Sequence, residues 1–469
     1  MKIKKTSDYT YEISREGKMN VPVLIFSNDK LIKKMQEDDT FEQAINLAKL
    51  PGIIKNVVLL PDGHQGYGAP IGSVAAFDLT NGVISPGATG FDINCGVRVL
   101  ATNLDKKDFL KKREEFLKEL KRFIPSGVGK GGEKYSRETI KEVLIKGSYW
   151  ALENGMASKK DVERTEENGR MEGVNLKDVS ERAISRGLSQ LGTLGAGNHF
   201  IDAQIVEEIY DEKIAKVFGL KKDKVCFMIH CGSRGLGHQV ASDYMKLIEE
   251  EYGSKNFPDR ELGFAQINSE LGKKYFSAMK ASVNFAFCNR QIIMHKIQEL
   301  LKKKFVGVKT ELLYDIAHNI SKIEEQIVDG KKKKVLVIRK GATRSFGPGR
   351  KEIPKDYKKT GQPVIIPGSM STPSFILAGT KKAEEISFAS SAHGAGRFHS
   401  RTWAHKSLNI QDIKKILKEK NIILEGSLNG TIEESEFSYK DVEEVIEVSN
   451  NSGISKKVAK LIPIAVMIG

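Results

Sequence analysis

The sequence has 469 residues, of which 40% are hydrophobic, so it is long enough to bury a real core as one large domain or several ordinary ones. No run of about eighteen apolar residues occurs, which excludes a membrane-spanning helix, and four cysteines without a CxxC pair exclude a disulfide framework. The basic first segment is not followed by an apolar stretch of the kind that signals secretion, and we therefore expect a cytoplasmic protein. A formal net charge of +15 favours a nucleic acid as partner, although a lysine-rich solvated surface gives the same composition.

The predicted elements alternate between strands and helices along the chain. In order, the hydrophobic pattern predicts a strand at 21–27, a helix at 41–50, a strand running into a loop at 57–64, a strand at 97–103 and a helix at 106–122. Later it predicts strands at 200–210 and 225–230, a helix ending near Tyr252, a long helix over 261–304, a helix at 441–448 and a last strand at 460–469.

Residues 125–190 show only short helical patterns with many charges, and we expect them to form a peripheral or inserted region. Loops that carry histidine or cysteine are spread over most of the sequence. One site assembled from the whole chain is more economical than several functional domains. We therefore expect a single mixed α/β (α+β) domain over residues 1–469, with its functional loops at strand ends.

The segment 61–98 concentrates glycines together with groups that bind metals. Asp92 and Cys95 lie three residues apart between Gly90 and Gly96, which suits a tight turn that points a carboxylate and a thiolate at one spot. Three more candidates at predicted strand ends or in glycine-bearing loops are His199, His230 and His318. Such a set suits Zn²⁺ or Mn²⁺, and a thiolate can bridge two ions. Taken singly, each histidine is more often structural and the cysteine more often a buried hydrophobe, but together they favour a metal site.

His393 lies among small residues in SSAHGAGR, which leaves room for a ligand to reach its imidazole. Near a metal centre it is a candidate covalent nucleophile, since imidazole forms a reactive phosphoramidate; a structural turn histidine is the alternative. Cationic side chains in glycine-containing loops form a candidate track for RNA phosphates, with ordinary surface charge as the alternative. They are Arg234, Lys340, Arg344, Arg350 and Arg397. No interleaving of aromatic residues indicates a stacking platform.

The motifs along almost the whole chain resemble those of the RtcB family of RNA ligases. In order they are PDGHQGYGAPIG, GFDINCGVR, TLGAGNHF, HCGSRGLGHQ, NFAFCNRQ, YDIAHNISK, RKGATRSF, PGSMSTPSF, SSAHGAGR and KDVEEVIEV. The number, length and order of these motifs make the resemblance highly specific.

The resemblance implies an enzyme that joins a 2′,3′-cyclic phosphate or 3′-phosphate RNA end to a 5′-hydroxyl end, in tRNA splicing or RNA repair. It implies GTP and two Mn²⁺ ions as cofactors, a guanylate on His393, and Asp62 as an aid to proton transfer. Cys95 would bridge the ions, with Asp92, His199, His230 and His318 as the other ligands. The implied nucleotide-binding positions are Asn198, His199, Phe200, Ile201, Asp202, His318, Asn319, Pro367, Gly368, Ser369, Met370, Ser374, His393, Gly394, Ala395, Gly396 and Ile468. An archease-type activator is the implied protein partner.

The chain departs from the family pattern at several positions. Ile468 stands where the family has a lysine that contacts guanine, and Asp202 stands in place of glutamate. Gln326 and Ile338 occupy positions that are usually histidine, and Ser371 replaces a glycine. Three alternatives therefore stay open beside the ligase: a divergent paralogue with altered nucleotide use, a metal-dependent RNA-end-binding protein, and a cyclic phosphodiesterase that does not ligate.

Overall fold

Two large β-sheets carry most of the strands, and helices pack against them, so the prediction of a mixed α/β fold is confirmed. The computed structural model describes residues 1–127 and 132–469. The strands are β1 (Ile3–Ser7), β2 (Thr10–Ile13), β3 (Val23–Phe26), β4 (Ile53–His64), β5 (Ile71–Phe77), β6 (Val83–Ile84), β7 (Gly96–Asp105), β8 (Phe200–Ile209), β9 (Lys224–Cys231), β10 (Ala265–Gln266), β11 (Thr310–Ala317), β12 (Asn319–Val328), β13 (Lys331–Lys340), β14 (Ala342–Arg344), β15 (Pro363–Ile366), β16 (Ser374–Ala378), β17 (Ser390–Ala392), β18 (Ile423–Glu425) and β19 (Lys456–Ile468).

Most of the helices are short, and one of them is unusually long. They are α1 (Asp29–Met35), α2 (Thr40–Ala48), α3 (Pro86–Thr89), α4 (Lys106–Phe123), α5 (Arg137–Lys146), α6 (Ser148–Glu153), α7 (Lys159–Glu163), α8 (Glu181–Gly187), α9 (Glu212–Val217), α10 (Arg234–Tyr252), α11 (Glu270–Lys304), α12 (Lys381–Ile386), α13 (Arg401–Ser407), α14 (Ile410–Glu419), α15 (Leu428–Thr431) and α16 (Val442–Ser452). Neither α11 nor any other helix in the described ranges combines the length and the apolar composition that a bilayer crossing requires.

The first large sheet has the strand order β1-β2-β3-β4-β5-β13-β12, in which only β3 and β4 run parallel. The second has the order β11-β7-β9-β8-β19-β16-β15, and β18 pairs in parallel with β19. Strands close to the C-terminal end of the sequence therefore lie in the middle of the second sheet. Small sheets join β6 to β10 and β14 to β17.

Helix α11 begins nine residues later than the sequence pattern predicts. Its N-cap is Ser269, whose hydroxyl accepts a hydrogen bond from Gly272 N at 3.0 Å. The preceding residues form a turn at Arg260–Leu262 and the short strand β10 instead. The apolar residues of this segment pack into the core without helical geometry, which the hydrophobic pattern alone does not distinguish.

The region predicted to be peripheral or inserted supplies the helices α5 to α8. Residues 128–131 of that region lie outside the described residues. Ile140 and Leu144 of α5 are fully buried in the largest hydrophobic cluster, against α8, α10 and α11. Glu166 accepts a hydrogen bond from Ala317 N at 2.8 Å, so the region also contacts the end of β11. Whether it is an insertion stays a prediction.

A cluster of buried charges lies where α11 crosses the second sheet. Arg98 on β7 and Arg290 on α11 both donate to the carboxylate of Asp315 on β11, with shortest distances of 2.7 Å, and all three side chains are inaccessible to solvent. Burial alone would raise the pKa of Asp315, but the two guanidinium charges outweigh it and hold that pKa below its ordinary value. The stabilisation of the folded protein by this cluster is therefore present at neutral pH. It is lost as the pH falls through the pKa that Asp315 has in the folded state.

Asp315→Asn removes the one negative charge that pairs with the two guanidinium groups while keeping the shape of the side chain. We expect the free energy of unfolding to fall by about 3 to 5 kcal/mol, because uncompensated buried charge is left behind. Urea unfolding followed by circular dichroism measures this change. The matched control is Asp108→Asn, which breaks an exposed pair with Lys111 and should leave stability nearly unchanged. Equal losses in the two variants would contradict the role given to Asp315.

Candidate active site

The pairing of four neighbouring strands brings the predicted metal ligands to one end of the second sheet. Ala317 on β11 pairs with Gly96 on β7, and Gly96 pairs with Cys231 on β9. His230 on β9 pairs with Phe200, the first residue of β8. Paired residues of adjacent strands lie about 5 Å apart, so their sequence neighbours are gathered at the same place. These neighbours are Cys95, His199 and His318, together with His230 itself.

The ligand atoms of these residues converge on two adjacent points. Cys95 Sγ lies 3.2 Å from His230 Nε2 and 3.5 Å from His199 Nε2. His230 Nε2 lies 3.3 Å from His318 Nε2, and His199 Nε2 lies 2.9 Å from Asp92 Oδ2. The side chains therefore form two candidate metal sets that share Cys95: one with His230 and His318, the other with Asp92 and His199.

Burial sets the protonation state of several of these groups. Burial, reinforced by neighbouring imidazoles, lowers the pKa of His230 and of His318 well below the ordinary value, so both rings are neutral at pH 7. A neutral imidazole has the free lone pair that a metal ion needs. Burial and the charge of Asp92 raise the pKa of the Cys95 thiol to about 12. A bound cation reverses such a shift, because a coordinating thiol is deprotonated.

The donor set fits a pair of divalent transition ions. Asp92 Oδ1 is buried and has no hydrogen-bond partner among the described residues, which is expected of an oxygen that binds an ion. The chain passes very close to this carboxylate at Gly232, where a Cβ atom would lie 2.2 Å from Asp92 Oδ1. A thiolate, a carboxylate and three imidazoles suit borderline ions, and a thiolate shared by the two sets can bridge them.

Arg290 holds the loop of Asp92 and Cys95 from behind. Its Nη1 donates to the carbonyls of Asn94 and Cys231, each at 2.7 Å. Asn94 has φ 52°, a left-handed conformation that asparagine tolerates better than most residues, and its amide donates to Val283 O at 2.9 Å. The buried cluster of Arg98, Asp315 and Arg290 therefore extends directly to the metal ligands.

His393 lies beside the candidate metal centre and is oriented by Asp62. Its ring centroid is 4.9 Å from that of His318. Its Nδ1 lies 2.6 Å from Asp62 Oδ2, which also accepts from the backbone N of His393 at 2.9 Å. Burial acts to raise the pKa of Asp62, but the charge and hydrogen bonds of His393 lower it overall, so Asp62 is ionised. A carboxylate can only accept here, so Nδ1 donates to Asp62 and Nε2 is the ring nitrogen that is free of that hydrogen bond.

A cavity of about 630 Å³ opens next to His393 and His230. Twelve of the residues predicted to bind the nucleotide line it: Asn198, Phe200, Asp202, Pro367, Gly368, Ser369, Met370, His393, Gly394, Ala395, Gly396 and Ile468. The other predicted positions, which are not among the lining residues, are His199, Ile201, His318, Asn319 and Ser374. Ser374 Oγ accepts from Gly368 N at 3.1 Å.

One wall of the cavity combines apolar side chains with a single buried acid. On the paired strands β8 and β19, Phe200 lies opposite Ile468, and Asp202 lies opposite Val466. Burial raises the pKa of Asp202 well above its ordinary value, and its Oδ1 has no hydrogen-bond partner among the described residues. The flat apolar surface and the unpaired carboxyl oxygen suit a planar base with a polar edge.

Only some of the cations predicted to bind RNA phosphates lie where a ligand could reach them. The structure places Lys340 and Arg344 in the interior, 5% and 1% exposed, where Lys340 donates to main-chain carbonyls and Arg344 pairs with Glu167. These two cannot reach RNA, since their hydrogen bonds are used inside the protein. Arg350 pairs with Glu352, and Arg397 lines the cavity beside Glu434. Arg234 begins α10 near the candidate metal ligands. Its guanidinium and the ring of His199 both lie next to Gly195.

Three of the departures from the family pattern are not among the residues that line the cavity. Ile338 packs in the hydrophobic core on β13. Gln326 on β12 donates to Glu324 at 2.7 Å, and Ser371 donates to Glu436 at 2.8 Å. Ile468 and Asp202 remain as the changes that alter the lining itself.

Sequence reasoning missed several residues of the site. Asp38, His64, Gln65, Phe398, Arg401, Glu434 and Tyr439 also line the cavity. His64 and Gln65 are part of the PDGHQG motif, which is a signal that could have identified them. The others come from segments whose only signals are charge or isolated aromatic residues, and only the fold brings them to the cavity.

A histidine oriented by a buried carboxylate beside a candidate metal centre is typical of proteins that transfer phosphorylated groups. Comparison with known proteins shows which family the chain is similar to. The profile of the family described as tRNA-splicing ligase RtcB matches residues 43–469. Curated proteins named tRNA-splicing ligase RtcB from Nanoarchaeum equitans, Archaeoglobus fulgidus and Thermococcus kodakarensis are 48%, 47% and 46% identical to the chain. Each alignment covers 100% of this chain and 99% or more of the relative. The chain belongs to the RtcB family.

Cys95→Ser removes the one donor that both candidate metal sets share. We expect the affinity for Mn²⁺ to fall by at least about tenfold and the bound stoichiometry to decrease, because neither set keeps its thiolate. Isothermal titration of chelator-treated protein, with elemental analysis of the metal-loaded form, measures both quantities. Cys226→Ser is the matched control, since this buried thiol lies in the core of the same strand as His230. A normal titration with Cys95→Ser would contradict the shared-thiolate arrangement.

Proposed function

We propose that the protein is a GTP- and Mn²⁺-dependent RNA ligase that joins 2′,3′-cyclic phosphate or 3′-phosphate RNA ends to 5′-hydroxyl ends. The observation that carries the proposal is the pairing of His393 with Asp62 at the junction of the candidate metal centre and the cavity. Family membership and the names of the relatives support RNA as the substrate. An archease-type activator stays the protein partner that the resemblance implies.

The first step places a guanylate on His393. The Nε2 lone pair attacks the α-phosphorus of GTP, a P–N bond forms, and the bond from that phosphorus to the bridging oxygen breaks so that pyrophosphate leaves. Asp62 keeps the proton on Nδ1 and stabilises the positive charge that develops on the ring. Bound Mn²⁺ ions would offset the negative charge of the phosphates, and their ligands would be the two sets that share Cys95.

Other groups on the cavity wall suit the remaining parts of the nucleotide. Arg397 and Arg401 bring positive charge to the lining, each paired with a glutamate of the segment 433–434. The apolar wall of Phe200, Met370 and Ile468 suits the base. A 3′-phosphate oxygen of RNA that attacks the guanylate phosphorus would displace His393 and activate the RNA end for the 5′-hydroxyl.

His393→Ala should abolish transfer of label from α-labelled GTP to the protein, because the attacking nitrogen is gone. Asp62→Asn should reduce it by at least about a hundredfold, since the proton on Nδ1 and the ring charge lose their carboxylate. A denaturing gel after incubation with Mn²⁺ and each labelled triphosphate in turn measures the transfer. His295→Ala, which alters a histidine of a separate groove, is the matched control and should label like the unaltered protein.

The outcome of this assay separates the alternatives. Labelling by another triphosphate would replace GTP in the proposal and indicate a divergent paralogue. Absence of label from every triphosphate would contradict nucleotidylation. In that case, conversion of a cyclic phosphate to a 3′-phosphate without nucleotide would indicate a phosphodiesterase, and tight binding of RNA ends without reaction would indicate an end-binding protein.

Ile468→Lys tests how the base is held. The new ammonium would lie diagonally across β8 and β19 from Asp202, where it would favour the ionised form of that carboxyl, pair with it and reach a guanine acceptor. We expect the GTP concentration for half-maximal labelling to fall by about fivefold to a hundredfold, as for a charge-assisted hydrogen bond of about 1 to 3 kcal/mol. Ile468→Met is the control for altered packing. An unchanged GTP dependence would show that the base does not use this position.

A further inference from the structure

Three aromatic rings form a cluster, here called the aromatic surface, beside the candidate active site. It consists of Tyr67, Phe91 and His238. The centroids of Tyr67 and Phe91 are 5.0 Å apart with their planes nearly perpendicular, and Phe91 lies 5.3 Å from His238. Tyr67 is 47% exposed, although it is a large aromatic residue whose ring contacts Phe91. This cluster could not be recognised from the sequence, because its members are far apart along the chain.

Hydrogen bonds from three other segments of the chain fix the backbone of the loop that carries Tyr67. The side chain of Gln43 makes two hydrogen bonds to the backbone of Gly66, at 2.8 and 2.9 Å. Glu261 accepts from Gly68 N at 3.1 Å. Lys340 donates to the carbonyl of Tyr67 and to those of Ala69 and Gly87, the latter two at 2.9 Å. The exposed ring is therefore presented by a fixed backbone, which lowers the entropy lost when a ligand stacks on it.

Lys340 connects the loop of Tyr67 with the segment that leads to Phe91. Gly87, whose carbonyl Lys340 binds, belongs to the helix α3 that ends just before Phe91. The lysine predicted to touch RNA phosphates thus lies inside the protein, where it ties together the two segments that display aromatic rings. Its interior position is consistent with a positioning role.

The aromatic surface adjoins each part of the proposed site. Phe91 directly precedes the metal-ligand candidate Asp92, and Gly66, next to Tyr67, lines the nucleotide cavity. His238 lies on α10, the helix that begins at Arg234. A guanidinium that can bind a phosphate and rings that can contact a base therefore both lie close to the candidate metal ligands.

We propose that the aromatic surface is a stacking platform for an unpaired nucleobase at an RNA end, with the exposed ring of Tyr67 as its contact. The proposal rests on the proposed function, in which RNA ends are the substrate. Single-stranded RNA is commonly bound by a cation that contacts the backbone and an aromatic ring that stacks on the base. The net charge of +15 favours a polyanion such as RNA over a protein as the occupant of this surface. Stacking tolerates any base, so the platform would secure an end without reading its sequence.

The test uses the full-length protein and short RNA strands whose terminal base is 2-aminopurine, which loses fluorescence when it stacks. One strand ends in a 3′-phosphate and the other in a 5′-hydroxyl, so that the assay shows which end the platform holds. We expect quenching with at least one strand, and loss of quenching with about tenfold weaker binding in Tyr67→Ala. Tyr67→Trp should restore both signals. Tyr210→Ala, which removes an exposed tyrosine elsewhere, should change neither.

A strand with an abasic terminal residue completes the test. It should bind the unaltered protein more weakly, and Tyr67→Ala should weaken it no further, because there is no base to stack. Unchanged binding and quenching in a folded Tyr67→Ala variant would overturn the proposal and leave a protein partner as the occupant. The assay contains no triphosphate, so it is independent of label transfer to His393, and a failure of either proposal is recognised separately.

Discussion

The charge cluster of Arg98, Asp315 and Arg290 is the interaction on which the site depends. A single carboxylate pairs with two buried guanidinium groups, and Arg290 uses its remaining donors on the carbonyls of Asn94 and Cys231. Those carbonyls flank the ligands Cys95 and His230. Because buried donors without partners are costly, the loop has little freedom to move away from Arg290. A long helix, two strands and the candidate metal centre are thereby fixed relative to one another.

The proposed chemistry takes place where the two large sheets approach each other. The metal-ligand candidates come from strand ends of the second sheet, whereas Asp62 lies on β4 of the first. Asp62 accepts from both the ring and the backbone of His393, so the proposed nucleophile is oriented by a residue of a different sheet from the candidate ligands beside it. Such an arrangement keeps the reacting groups in place without relying on flexible loops.

The sequence predicted the parts of the site that carry strong local signals. Glycine-flanked Asp92 and Cys95, and histidines at strand ends, could be recognised because their positions follow from chain geometry and from the motifs. Lys340 and Arg344 show the limit of that reasoning, since a cation in a glycine-containing loop has the same local pattern whether it faces water or a buried carbonyl. The aromatic surface shows another limit, because Tyr67, Phe91 and His238 meet only through the pairing of distant segments. The start of α11 was missed because apolar residues before Ser269 continue the pattern without continuing the helix.

The position of β19 has a consequence for how the protein becomes active during synthesis. This strand, residues 456–468, lies between β8 and β16 and supplies Ile468 to the cavity. Until the ribosome has released it, β8 lacks a neighbour along one edge, and the wall behind the nucleotide does not exist. Contacts between segments this distant in the chain also form slowly. A partly made or truncated chain would therefore contain every metal-ligand candidate and His393 but lack this wall of the cavity, which couples completion of the cavity to complete synthesis of the sheet.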